Sequence, residues 1–165
     1  MTESTEPSAS NCVARVAAAP TIGFNFAGFR SPSVLPSDSN GSVGNNQLVE
    51  VVNARYQVWS LNRSTQVATS ILGPANLGTL WAGFGGDCGV STCPYADPIV
   101  LYDKIANRWL ISKFSLSGHV MCVALSTSAD ATGTYARYAF AMPNGVARRL
   151  PEIRGVDGRL LHVDD

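Results

Sequence analysis

Residues 98–140, PIVLYDKIANRWLISKFSLSGHVMCVALSTSADATGTYARYAF, contain four runs of apolar, aromatic and β-branched residues. The runs cover 98–102, 108–116, 120–126 and 135–140, and each has about the length of one strand. Asp, Asn, Ser and Gly, which favour tight turns, separate the runs. The stretch therefore predicts four antiparallel strands that are joined in chain order.

The third of these runs, VMCVALS at 120–126, is apolar on both faces of the predicted strand. A strand of this kind is covered on both sides, whereas a strand with one solvent face alternates. Four strands in ~45 residues match one blade of a β-propeller, in which the neighbouring blades provide the cover. We expect an all-β fold of four-stranded antiparallel meander blades, forming about two blades of an incomplete propeller.

A weaker pattern of the same kind lies upstream, at residues 47–72. Runs at 47–52, 56–61 and 66–72 predict three strands of an earlier blade, whose fourth strand we expect to come from elsewhere. Gly73-Pro74 predicts the end of the third strand, because proline cannot donate to a strand ladder. Pro, Ser, Asn and Gly in residues 32–41 predict a turn-rich segment.

The two ends of the chain lack this organisation. Residues 1–20 are polar and then Ala-rich, which predicts a flexible leader without the basic start and apolar middle of a signal peptide. Residues 21–144 form the predicted partial propeller, with blades at roughly 47–72 and 97–140. Residues 145–165 are Arg-rich and without strand periodicity, and we expect a poorly ordered tail.

The charge balance argues against two classes of partner. The 165 residues carry 12 basic and 12 acidic side chains. Nucleic acid and anionic membranes are both bound by clustered Lys and Arg. No apolar run approaches the ~20 residues that span a bilayer. We therefore predict neither a nucleic-acid partner nor a membrane.

The four cysteines are Cys12, Cys88, Cys93 and Cys122. Four cysteines allow three complete disulfide pairings. A zinc site would need two close ligand pairs, and only Cys88 and Cys93 are close in the sequence. We expect at least one disulfide, and the spacing alone leaves its partners open.

Several motifs together indicate a family. They are FNFAG at 24–28, PSDSNGSVG at 36–44, TLWAGFGG at 79–86, DPIVLYD at 97–103 and NRW at 107–109. These segments resemble the N-terminal part of a family of large secreted bacterial β-propeller proteins, over roughly residues 22–144. The resemblance implies an extracellular or cell-envelope location, a Cys88–Cys122 disulfide and further blades in longer relatives. Cys88 with Cys93 is the local alternative.

Asp38 and Asp97 are the catalytic candidates, because each precedes a predicted inner strand and would lie at one end of a propeller channel. Glycoside hydrolysis uses two carboxylates about 5–10 Å apart. The alternative is that each aspartate caps a turn. Asp38, Asn40 and Ser42 also have the spacing of calcium ligands, with a plain Asn-Gly turn as the alternative. No other cofactor is predicted.

Two functions follow from these features. The first is a truncated extracellular propeller that acts as a scaffold or binding module for a polymer or protein, without catalysis of its own. The second is a fragment of a propeller-fold hydrolase or lyase that acts on glycans. Missing blades would leave open faces, which predicts self-association.

Overall fold

The computed structural model describes residues 23–30, 37–53, 55–89, 97–115 and 119–142. The first sheet consists of β1 (Asn40–Val43), β2 (Gln47–Val52), β3 (Arg55–Asn62) and β4 (Val67–Asn76). The second consists of β5 (Ile99–Asp103), β6 (Arg108–Phe114), β7 (Val120–Ser126) and β8 (Tyr135–Ala141). In both sheets the strand order follows the chain and all neighbours are antiparallel. The prediction of an all-β fold with four-stranded antiparallel meanders is therefore confirmed.

The first sheet corrects the prediction that its fourth strand comes from elsewhere. β1 completes it, with Asn40 opposite Val51 and Val43 opposite Leu48. The strand has the sequence NGSV, so it carries few of the apolar or β-branched side chains that identify a strand. Its Asn40-Gly41 pair lies in a ladder, so the alternative of an Asn-Gly turn at this position is also wrong.

The predicted end of β4 at Gly73-Pro74 is wrong as well, because the strand continues to Asn76. β4 is the outer strand of its sheet, and a proline on an outer strand need not donate to a ladder. The Gly73–Pro74 peptide bond is cis, and Gly73 has a φ of 90° that few residues other than glycine adopt. A register shift opposite this point, between Tyr56 and Val58, accommodates the irregularity.

The core lies between the two sheets. The first sheet contributes Val49, Val51, Tyr56 and Val58, and the second contributes Val100, Trp109, Ile111, Cys122 and Ala124. Two short 3-10 helices, Leu77–Trp81 and Gly86–Cys88, belong to the connection between the sheets. Their side chains Leu77, Trp81 and Cys88 are buried in the same core. The connection is therefore part of the interface between the sheets.

The first strands of the two sheets lie side by side. The backbone N–H of Val100 donates to Asn40 Oδ1 at 2.9 Å, and that of Tyr102 donates to Ser42 Oγ at 3.0 Å. The small polar side chains of β1 thus provide acceptors for β5. They join the two sheets without continuing one ladder into the other.

A disulfide joins Cys88, at the end of the second 3-10 helix, to Cys122 in β7, with the Cα atoms 5.7 Å apart. This is the pairing that the resemblance implied. It attaches the connection to the third strand of the second sheet. The predicted leader at 1–20 and tail at 145–165 lie outside the described residues.

Candidate functional site

Asp38 and Asp97 are brought together at one end of the sheet interface. Each lies two residues before the first strand of its sheet, and the Asp38 carboxyl group is a neighbour of Asp97. Partial burial raises the pKa of Asp97, and the interaction with the side chain of Asp38 and its negative charge raise this pKa further. Asp97 therefore keeps its proton to a higher pH than an ordinary aspartate.

The backbone around Asp38 is held by the turn between β2 and β3. Asn53 Nδ2 donates to Asp38 Oδ2 at 3.2 Å, and the N–H of Asn53 donates to the Ser37 carbonyl at 2.8 Å. Asn53 is buried, and Asp38 has a φ of 40° in the left-handed region. The position of Asp38 is thus fixed by contacts on the first sheet.

The two carboxyl groups can play either of two roles. In a glycosidase, two carboxyl groups roughly 5–10 Å apart flank the sugar, and one of them is an acid with a raised pKa. Near the sheet interface, a protonated Asp97 beside Asp38 would instead have a structural role.

Asn40 and Ser42, the other two predicted calcium ligands, point their side-chain oxygens at β5. Both oxygens already accept hydrogen bonds from backbone N–H groups. Within the described part of the chain, no group of three or more His, Cys, Asp or Glu side chains is placed to hold a metal ion. Calcium binding by Asp38, Asn40 and Ser42 stays a prediction.

A groove opens at the opposite end of the sheet interface, with a volume of about 350 Å³. We call it the turn groove, because the β1–β2 turn and the β7–β8 turn form its walls. Its lining consists of Asn45, Asn46, Gln47, Ser60, Ala129 and Asp130.

Gln47 fixes the width of the turn groove by bonding across it. Its Nε2 donates to Asp130 Oδ1 at 2.8 Å, and its Oε1 accepts from the N–H of Ala131 at 2.8 Å. Asp130 Oδ1 also accepts from the Thr132 N–H and hydroxyl, at 2.9 and 2.8 Å. The hydrogen bond from Gln47, followed by those from Thr132, lowers the pKa of Asp130. This carboxylate therefore remains ionised at neutral pH.

The β1–β2 turn is held by further bonds. Arg63 donates from Nε to the Asn45 carbonyl at 2.7 Å and from Nη2 to the Gly44 carbonyl at 3.1 Å. Asn45 Nδ2 donates to Asn107 Oδ1 at 3.3 Å, in the β5–β6 turn. The walls of the turn groove are thus connected both within and between the sheets.

Sequence analysis missed the turn groove. Gln47 is the first residue of a predicted strand, and Asp130 lies in a predicted turn that is 83 residues away. Each residue has an ordinary local role in such a position. Only the placement of one sheet on the other brings them together.

The tryptophans pack within the fold. Trp81 and Trp109 are completely buried in the core. Trp59 is half-buried, packs against Phe26 with tilted rings whose centroids are 4.8 Å apart, and donates from Nε1 to Glu50 Oε2 at 3.2 Å. None of these three rings forms an open platform for a sugar.

Comparisons with profiles of protein families, with curated proteins and with solved structures each give no match. Among the described residues, no helix has the length and apolar character needed to cross a bilayer.

Proposed function

We propose that the two sheets are adjacent blades of an extracellular β-propeller and that the chain is a non-catalytic scaffold or binding module. The observation that carries this proposal is the contact of two consecutive four-stranded meanders through their faces, with β1 and β5 side by side. Propeller blades are four-stranded sheets arranged around a central axis in this sequential way. The disulfide supports an oxidising, extracellular location.

The filling of the interface supports a fan-like arrangement. At the first strands, the sheets are close enough for direct hydrogen bonds from Val100 and Tyr102. Farther out, the 3-10 helix Leu77–Trp81 inserts its buried side chains into the core. Propeller blades are close together near the central axis and diverge away from it. The contact between β1 and β5, with a 3-10 helix filling the wider part of the gap between the sheets, matches this arrangement.

The second sheet has an outer face, turned away from the core, that is apolar except near the β5–β6 turn. Strand alternation and register place these residues on it: Ile99, Leu101, Asp103, Arg108, Leu110, Ser112, Phe114, Met121, Val123, Leu125, Ala136, Tyr138 and Phe140. Its charged members, Asp103 and Arg108, lie opposite each other beside the β5–β6 turn. Ser112, Met121 and Val123 are buried, whereas Tyr138 and Phe140 on β8 are 45% and 50% exposed.

We infer that another four-stranded sheet packs against the exposed part of this outer face, at Tyr138 and Phe140 on β8. Large exposed apolar patches mark interaction surfaces, and sheets that are apolar on both faces are covered on both. The core between the two described sheets provides the pattern for such a contact, because it too is formed by β-branched and aromatic side chains.

The substitution Phe140→Lys tests whether another sheet packs on the outer face of the second sheet. We expect the chain to bind a hydrophobic dye or to self-associate as its concentration rises, and the substitution to reduce both effects. Ile71→Lys is the matched control, because Ile71 is 46% exposed on β4 of the other sheet. A monomer that binds no dye, and whose behaviour Phe140→Lys leaves unchanged, would contradict the proposal.

The closeness of Asp38 and Asp97 favours one second candidate, a fragment of a glycan-acting hydrolase or lyase. Partial burial, followed by the interaction with Asp38, raises the pKa of Asp97, as in a general acid. Turnover assays on a glycan panel separate the two functions. Activity that Asp97→Asn abolishes, while the fold is kept, would favour the enzyme over the binding module.

A further inference from the structure

The turn groove has the chemistry of a site for a small neutral ligand. Its volume of about 350 Å³ lies at the lower end of the roughly 300–1,000 Å³ found for ligand sites in proteins. Of the six described residues that line it, five have polar side chains, and Ala129 is the exception. A groove of this size suits a ligand with several hydroxyl groups on a compact ring.

We propose that the turn groove binds a short neutral saccharide, between the β1–β2 turn and the β7–β8 turn. This inference deepens the proposed binding role and rests on it for its biological meaning. The groove itself depends only on the contact between the two sheets.

The polar atoms in the groove that remain available can recognise hydroxyl groups. All hydrogen bonds to Asp130 from the described residues go to Oδ1, which leaves Oδ2 as an acceptor. Ser60 and Asn46 have no side-chain hydrogen bond to any described residue, and both line the groove. Hydroxyl and amide groups each donate and accept, as sugar hydroxyls do.

The charge in the groove selects against anionic ligands. Asp130 is ionised at neutral pH, because its hydrogen bonds lower its pKa, and no lining residue is basic. Arg63 directs its guanidinium at the Gly44 and Asn45 carbonyls. A phosphate or an acidic sugar would meet a fixed negative charge, whereas a neutral sugar can donate two hydroxyl groups to the carboxylate.

The groove is also held in shape before any ligand binds. Gln47 bridges the two walls with two hydrogen bonds of 2.8 Å each, and Arg63 holds the β1–β2 turn. Ser60 lies directly opposite Gln47 in the β2–β3 ladder, so the sheet fixes its position. Sites that need little ordering on binding lose less affinity to conformational entropy.

Binding is tested by NMR titration of the chain with glucose, galactose, mannose, N-acetylglucosamine and their disaccharides. We expect saturable shifts of amide signals at residues 45–47, 60 and 129–130 with at least one of these sugars. Asn46→Ala and Ser60→Ala should each weaken binding by about tenfold, the effect of one lost hydrogen bond. Ser70→Ala, exposed on β4, is the matched control and should leave the affinity unchanged.

Two outcomes would overturn the saccharide site. They are the absence of shifts up to the solubility limit of every sugar, and shifts that Asn46→Ala and Ser60→Ala leave unchanged. The dye and self-association measurements with Phe140→Lys are independent of sugar. A failure of the saccharide site is therefore distinguishable from a failure of the proposed blade arrangement.

Discussion

Gln47 in β2 and Asp130 in the β7–β8 turn are hydrogen-bonded across the sheet interface, although 83 residues separate them in the chain. The same glutamine accepts from the Ala131 N–H. Two bonds from one side chain therefore join the sheets at the end opposite to Asp38 and Asp97. The interface is held at both ends by polar contacts and in the middle by the apolar core.

Gln47→Ala is expected to lower the free energy of unfolding by about 1–3 kcal/mol, because it removes two hydrogen bonds. The pKa of Asp130 is lowered in the folded state, so its contribution is complete at neutral pH and is lost as the pH falls through that lowered pKa. Urea denaturation at pH 7 and pH 3 measures both effects. A double-mutant cycle with Asp130→Ala provides the control, and additive losses at pH 7 would contradict the bond's role.

Asp97→Asn is expected to stabilise the protein at neutral pH. The pKa of Asp97 is raised in the folded state, so the folded chain loses stability relative to the unfolded chain as the pH rises through the interval between the two pKa values. The substitution removes this loss, and its advantage should disappear below the unfolded pKa of about 4. Thermal unfolding from pH 3 to pH 7 measures the difference.

Asp103→Asn is the matched control for Asp97. The Asp103 carboxylate accepts from the N–H groups of Ile105 and Ala106, at 2.8 and 2.9 Å, and has no contact of the Asp38–Asp97 kind. Its replacement should leave stability nearly unchanged, because the amide oxygen of Asn still accepts both hydrogen bonds. If Asp97→Asn lowered stability at pH 7, the acid pair would not be the dominant interaction at this position.

Removal of the disulfide should have the largest effect of these changes. The bond between Cys88 and Cys122 closes a loop with a sequence separation of 34, for which the chain-entropy relation gives about 3–4 kcal/mol. The double variant Cys88→Ser/Cys122→Ser should therefore unfold at a clearly lower urea concentration. Reductant should shift the native protein in the same direction and leave the double variant unaffected. Equal shifts of both proteins by reductant would argue for another pairing.

Gly44→Ala is expected to destabilise the contact between the sheets. A Cβ at Gly44 would lie 2.7 Å from Trp109 Cζ2 and 3.2 Å from Tyr102 Cε2, and Trp109 is completely buried. Overpacking of this kind costs about 1–3 kcal/mol. Gly41→Ala is the control, because a Cβ there makes only ordinary contacts at 3.5 and 3.7 Å. Similar melting temperatures for the two variants would contradict this packing argument.

The sequence predicts the second sheet better than the first, for a physical reason. The strands β5–β8 are rich in apolar and β-branched side chains, so the strand signal lies in the residues themselves. β1 lacks such side chains, and its stability comes from the β2 ladder and from the bonds of Asn40 and Ser42 to β5. A contact with a distant strand leaves no local pattern.

The candidate sites also contain features with a local sequence signal and features that depend on contacts between distant residues. The sequence predicted that Asp38 and Asp97 each precede an inner strand and lie at one end of a channel, but their closeness depends on how the two sheets pack. The bond between Gln47 and Asp130 depends on the same packing and has no motif. The Cys88–Cys122 pairing followed from the resemblance, because spacing alone left three pairings open.

The buried connection at residues 77–88 sets the size of the smallest piece that can fold. Leu77 and Trp81 pack in the core between the two sheets, and Cys88 is joined by the disulfide to β7 of the second sheet. If the chain were divided between the two sheets, each half would expose its core side chains to solvent. The connection at residues 77–88 would also lose its contact with one of the sheets. The two halves should therefore melt together in one transition, and neither of them should be separable as an autonomous module.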